Sequence, residues 1–117
     1  MKKTLIAASL SVVLALPAAA ASRPPHATPA KTHAVALKHI KITPKALEIR
    51  RGETVIWTWG DKLLDSSHNV TSYGKARFRS SPTQSVGTYS VKFTRKGTYT
   101  YRCTIHPLTM KATIIVR

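Results

Sequence analysis

Near the end of the chain a thiol, an imidazole and a thioether follow one another in the order Cys103-Thr104-Ile105-His106-Pro107-Leu108-Thr109-Met110. If the cysteine ends a strand, Cys-x2-His brings thiolate and imidazole to the mouth of one turn, and Met110 can cap them from the side. Soft sulfur combined with imidazole suits copper in both oxidation states. Zinc seldom recruits methionine, and an iron–sulfur cluster needs several cysteines where this sequence has one. A further strong donor is required, and His68 in Ser67-His68-Asn69-Val70 is the candidate. Two nitrogens, a thiolate and a weak axial thioether form a blue-copper donor set. His39, the competing histidine, falls within the first strand among Lys38 and Lys41 and is expected to face solvent. His26 and His33 are read as solvated tail histidines.

Positioning these donors requires strands. From His33 onward, short runs of Val, Ile, Thr, Trp and Tyr alternate with Gly, Pro and Ser, and no apolar pattern repeats at helical spacing. Val35 and Leu37 share one parity and Ile40 and Ile42 the other, which predicts a bulge in the first strand. Leu47 and Ile49 mark the next strand, and Arg51-Gly52-Glu53 turns the chain into Thr54 to Trp59. Tyr89, Val91 and Phe93 alternate with polar residues. Arg95-Lys96-Gly97 then leads to Tyr99, Tyr101 and Cys103 at the same period of two. Lys111 to Val116 is apolar enough for a central strand. Residues 60 to 84 read as long loops with a short strand near Asn69 to Thr71. Strands at this spacing predict an all-β fold, a two-sheet Greek-key β-sandwich, over residues 33–117.

The start of the sequence has a different character. Met1-Lys2-Lys3, the apolar run Leu5 to Leu16, and Pro17 followed by Ala18 to Ala21 read as a secretory signal over residues 1–21. About 12 apolar residues fall short of the roughly 20 that span a bilayer. Residues 22–32 are Pro- and Ala-rich and read as a disordered leader. The expected product is exported, periplasmic or extracellular, without a transmembrane segment, and monomeric.

The whole chain carries 19 Lys+Arg against 4 Asp+Glu. Without the signal, 17 basic residues still face 4 acidic ones. Such a balance steers a protein toward acidic redox partners or toward an anionic envelope surface. Lys75, Arg77 and Arg79 alternate and would form one modest patch in an extended segment. Export and the lack of a recognition motif argue against specific nucleic-acid binding. So few carboxylates, with no Ser-His-Asp set, also argue against a hydrolytic enzyme.

Three segments carry a family resemblance: Arg51-Gly52-Glu53-Thr54-Val55-Ile56-Trp57, His68-Asn69-Val70, and Gly97 to Pro107. In these the sequence resembles the plastocyanin and amicyanin branch of the cupredoxins. The resemblance implies a Greek-key sandwich with one type 1 copper ion held at one end by His68, Cys103, His106 and Met110, and a role in single-electron transfer between redox partners. It further implies that Asn69 ties the two ligand loops together through Thr104, and that Pro107 and Leu108 belong to an apolar patch beside His106. Three residues separate His106 from Met110, a spacing also found in azurins. A copper chaperone or store using the same donors, and a cationic binding module without metal, are the competing readings.

Overall fold

A computed structural model describes residues 11, 13, 30–61 and 66–117. The expected signal and nearly all of the leader therefore lie outside the described residues. Among the described residues eight strands follow one another: β1 Thr32–Lys38, β2 Lys41–Thr43, β3 Ala46–Ile49, β4 Thr54–Trp59, β5 Thr71–Tyr73, β6 Gly87–Lys92, β7 Gly97–Arg102 and β8 Lys111–Val116. They form two four-stranded sheets, ordered β2-β1-β4-β6 and β3-β8-β7-β5. The pairs β1–β4 and β3–β8 are parallel, and the remaining ladders are antiparallel. β8 is an interior strand, in keeping with its apolar sequence.

Alternation decides which side chains enter the core. Val55, Trp57 and Trp59 of β4 point inward together with Val35 and Leu37 of β1, and Tyr99, Tyr101, Ile114 and Val116 meet them from the other sheet. Trp57 is the centre of an aromatic cluster. Tyr101 stands edge-on to it at 5.5 Å between ring centroids, and Phe78 stacks on it at 5.6 Å with planes 10° apart. Such pairs contribute about 0.5–1.5 kcal/mol each beyond the area they bury. Phe78 lies outside every strand, so this contact anchors the connection between β5 and β6. Lys75, Arg77 and Arg79 are exposed along that connection while Ala76 and Phe78 pack against the core.

Three expectations need correction. His33 is not a solvated tail residue: it lies in β1, half-buried, with Nε2 3.3 Å from the Glu53 carboxylate. The parity change between Leu37 and Ile42 is not a bulge: Lys38 pairs with Lys41 and Leu37 with Ile42, so β1 and β2 are joined by a two-residue hairpin turn. His39 and Ile40 form that turn at φ of 52° and 56°. A tight hairpin reverses parity just as one inserted residue does. His39 thus belongs to the turn rather than to a strand, and its side chain is exposed. The short strand expected near Asn69 to Thr71 is β5, at Thr71–Tyr73. It lies further along because His68 and Asn69 are engaged elsewhere, His68 forming an isolated bridge with Gln84.

The ladders define two poles. Cys103 follows β7 and Met110 precedes β8 at one pole, where the end of β4 and the β1–β2 turn also lie. At the other pole, the starts of β1, β4 and β7 meet the ends of β3, β6 and β8. Six residues of β7 separate the poles by about 20 Å at the usual strand rise.

Candidate metal centre

The loop between β7 and β8 is folded on itself by its backbone. Cys103 N–H donates to the Met110 carbonyl at 2.9 Å, and Met110 N–H donates to the His106 carbonyl at 2.9 Å. The turn thereby holds the cysteine, the second histidine and the methionine in one compact unit. His68 arrives from the segment before β5. Its backbone exchanges two hydrogen bonds with Gln84, each at 3.0 Å, and its carbonyl accepts the Trp59 indole N–H at 2.8 Å.

These loops bring three donors together. Nδ1 of His68 lies 4.0 Å and Nδ1 of His106 3.9 Å from the Cys103 sulfur. The His68 and His106 rings are 5.2 Å apart between centroids. All three donor atoms fall within 4.8 Å of one another. An ion bound at about 2.0–2.3 Å from each of two ligands sets those ligands roughly 3.5–4 Å apart, so the spacing suits a single metal. Cys103, His68 and Met110 are fully buried, whereas His106 is half-buried at the surface.

A carboxylate that the sequence reading passed over completes the surroundings. Asp61 is buried, and its Oδ2 lies 2.9 Å from Nε2 of His68. An N–H directed at Asp61 leaves Nδ1, the nitrogen facing Cys103, as the acceptor able to bind metal. The backbone N–H of His39 also donates to both Asp61 oxygens, at 3.1 and 3.2 Å. The hydrogen bond from His68 lowers the Asp61 carboxyl below its usual pKa, against the opposing effect of burial. Spacing gave no sign of this role, since Asp61 is seven residues from His68 and 22 from His39.

Asn69 links the two loops. Its Oδ1 accepts the Thr104 backbone N–H at 3.0 Å and the Thr71 hydroxyl at 2.7 Å. Its amide donates to the hydroxyls of Thr104 at 2.7 Å and Thr83 at 3.0 Å. Every hydrogen-bonding position of this side chain is occupied, so the peptides carrying His68 and Cys103 are fastened to each other.

Exposed apolar side chains occur on the loops at the pole of His106. Leu108 is 86% exposed, Val86 63% and Ile105 48%, and half-buried Pro107 adjoins the ring in sequence. Burying such groups against a partner is favourable at about 25 cal/mol per Å².

Residues 30–117 match the family of copper binding proteins described as plastocyanin/azurin. Amicyanin-alpha of Methylorubrum extorquens is 34% identical over 110 residues, covering 93% of this chain and 91% of that protein. Among solved structures, a reduced amicyanin variant superposes with a TM-score of 0.61 at 30% identity, over 74% of this chain and 82% of its own. A copper-containing nitrite reductase from Thermus scotoductus superposes with a TM-score of 0.65 at 28% identity, but only 22% of that longer chain is covered. The family match runs through the whole sandwich, and the donors at its rim have the chemistry that copper demands; this chain belongs to the plastocyanin/azurin family of copper-binding proteins.

Proposed function

We propose that His68, Cys103, His106 and Met110 hold the single type 1 copper ion of this protein, and that it carries electrons one at a time between redox partners rather than catalysing a reaction. The observation that carries this reading is the convergence of two imidazoles and one thiol from segments 35 residues apart in sequence. Copper supplies the chemistry by alternating between two oxidation states.

The residues of the chain supply the rest. Asp61 sets the tautomer of His68, and Trp59 and Gln84 fix its backbone. Asn69 and Thr104 hold the two loops in register, so that the donors need little rearrangement when charge changes. Burial of Cys103 keeps water from the thiolate. His106, half-buried and neighboured in sequence by the apolar Ile105, Pro107 and Leu108, is the route by which electrons enter and leave. A partner therefore docks on those apolar side chains, and the excess positive charge favours partners with acidic surfaces. The apolar run behind Lys2 and Lys3 directs the chain to export, and the carrier works in a periplasm or outside the cell.

Titration of the purified protein with Cu(II) is expected to give an intense visible thiolate-to-copper band at one equivalent and a reversible one-electron couple. Cys103→Ser is expected to abolish the band. An unchanged colour in that variant would refute the thiolate assignment, and stoichiometric Cu(I) binding without a stable oxidised form would point to a chaperone instead.

A further inference from the structure

The pole opposite Cys103 collects cations from separate elements. Lys31 precedes β1, Arg50 and Arg51 follow β3, Lys92 ends β6 and Arg117 follows β8; all five are exposed. The turn Arg95-Lys96 between β6 and β7 adjoins them and is exposed as well. Between these side chains lie two adjoining hollows of about 720 and 580 Å³ that share Arg50, Arg51 and Arg117.

The acidic groups at this pole are already engaged. Glu48 pairs with Arg117 at 2.6 Å. Glu53 is buried, accepts the Arg50 backbone N–H at 2.6 Å and lies 3.3 Å from Nε2 of His33. Lys31, Lys92 and the guanidinium groups of Arg50 and Arg51 make no ion pair among the described residues. Arginine forks match phosphate geometry, and exposed cations without partners attract anions over about a Debye length.

Three observations identify the occupant. Ile40, Val86, Ile105 and Leu108, the most exposed large hydrophobic side chains of the described sandwich, lie at the metal pole or on its loops, and the basic pole has only Ile115 of β8, at 37%, whereas a protein interface needs an apolar centre. The basic pole also lies about 20 Å from the donors, so a redox partner bound there would gain no short electron path. Finally, the chain enters β1 from this pole through Ala30 and Lys31. The segment read as leader, which holds Arg23 and Lys31 and no acidic residue, is therefore joined to the domain there.

We propose that this basic pole is a docking surface for an anionic lipid bilayer, holding the domain with its metal end turned away from the membrane. The part of the argument that concerns chain entry rests on the export reading, whereas the charge distribution does not. Each basic side chain near an anionic bilayer strengthens partitioning by roughly fivefold. Removing two of them by Arg50→Glu/Arg51→Glu is expected to weaken binding by about tenfold or more.

The test is co-sedimentation of the copper-loaded protein with vesicles of phosphatidylcholine alone and of phosphatidylcholine with about one-third phosphatidylglycerol. Binding is expected only to the anionic vesicles, and is expected to be lost in about 1 M NaCl, where the Debye length falls to about 3 Å. Lys38→Glu/Lys41→Glu changes the net charge equally at the β1–β2 hairpin and is expected to weaken binding by less than about threefold. Arg50→Gln/Arg51→Gln provides a milder pair should charge reversal disturb the turn. Equal loss in both charge-reversed variants, or no binding to anionic vesicles, would overturn the proposal. Binding to soluble polyglutamate without binding to vesicles would overturn it too, by marking an acidic protein as the occupant. None of these readouts depends on electron transfer.

Discussion

The carboxylate of Asp61 and the imidazole of His68 form a buried pair, with Oδ2 2.9 Å from Nε2, while the other nitrogen of the same ring lies 4.0 Å from the Cys103 sulfur. One ring thus joins a negative charge to the metal centre. Asp61→Asn retains an acceptor and removes the charge. The oxidised ion gains more from that charge than the reduced one, so its removal is expected to raise the reduction potential. Asp61→Ala also loses the acceptor, and is expected to weaken Cu(II) binding by about 10–100-fold. Voltammetry and a chelator competition would measure the two effects, and unchanged values in both variants would remove Asp61 from the account.

Asn69→Ala deletes four hydrogen bonds and leaves the Thr104 N–H without its partner. Losing a hydrogen bond costs about 1 kcal/mol, more when a buried group is left unpaired, so about 2–4 kcal/mol of stability is expected to disappear. Chemical denaturation of the metal-free protein measures this, and copper release is expected to accelerate in parallel.

The β1–β2 turn places Ile40 at a φ of 56°. A β-branched residue in the left-handed region is strained by roughly 1–2 kcal/mol, and glycine carries no such penalty. Ile40→Gly is therefore expected to stabilise the fold by about 1 kcal/mol, raising the urea midpoint without changing the slope. A lower midpoint would mean that the isoleucine side chain contributes more than the strain removes.

This turn also shows where sequence reasoning runs out. The meeting of Cys103 with His106 was legible because the two lie in one short loop and their chemistry is distinctive. The sandwich was legible because Trp57, Tyr101 and Ile114 alternate cleanly with polar neighbours. The β1–β2 hairpin was hidden because His39-Ile40 lacks the Asn-Gly or Asp-Gly signature of such turns, and a parity change is common to turns and bulges. Asp61 was hidden because its two partners come from different loops. Phe78 was hidden because a single aromatic in a polar stretch has no period, although it stacks on the central tryptophan.

Acid should act through Glu53. Its carboxyl is held below the usual 4.5 chiefly by the hydrogen bond from the Arg50 backbone, and then by His33, against the effect of burial. A carboxyl depressed by folding contributes stability that is fully present above its unfolded pKa and is lost as pH falls through the folded one. Stability of the metal-free protein is therefore expected to decline below about pH 4.5, and Glu53→Gln to flatten that decline. Urea unfolding at several acidic pH values tests both.

Leu108 is 86% exposed beside His106 and contacts too little to support the fold. Leu108→Asp is expected to change stability by no more than about 0.5 kcal/mol. It is also expected to slow electron exchange with a protein partner, while small inorganic oxidants react as before. Stopped-flow kinetics with both kinds of reagent separates docking from the metal site itself.

Cys103 is the only cysteine of the sequence and shows no exposed surface. Two folded copies of the chain thus cannot crosslink through this sulfur unless the loop carrying it swings open, and alkylating reagents face the same barrier. Packing alone shields this thiol, and its rate of labelling becomes a direct gauge of how often that loop unlatches.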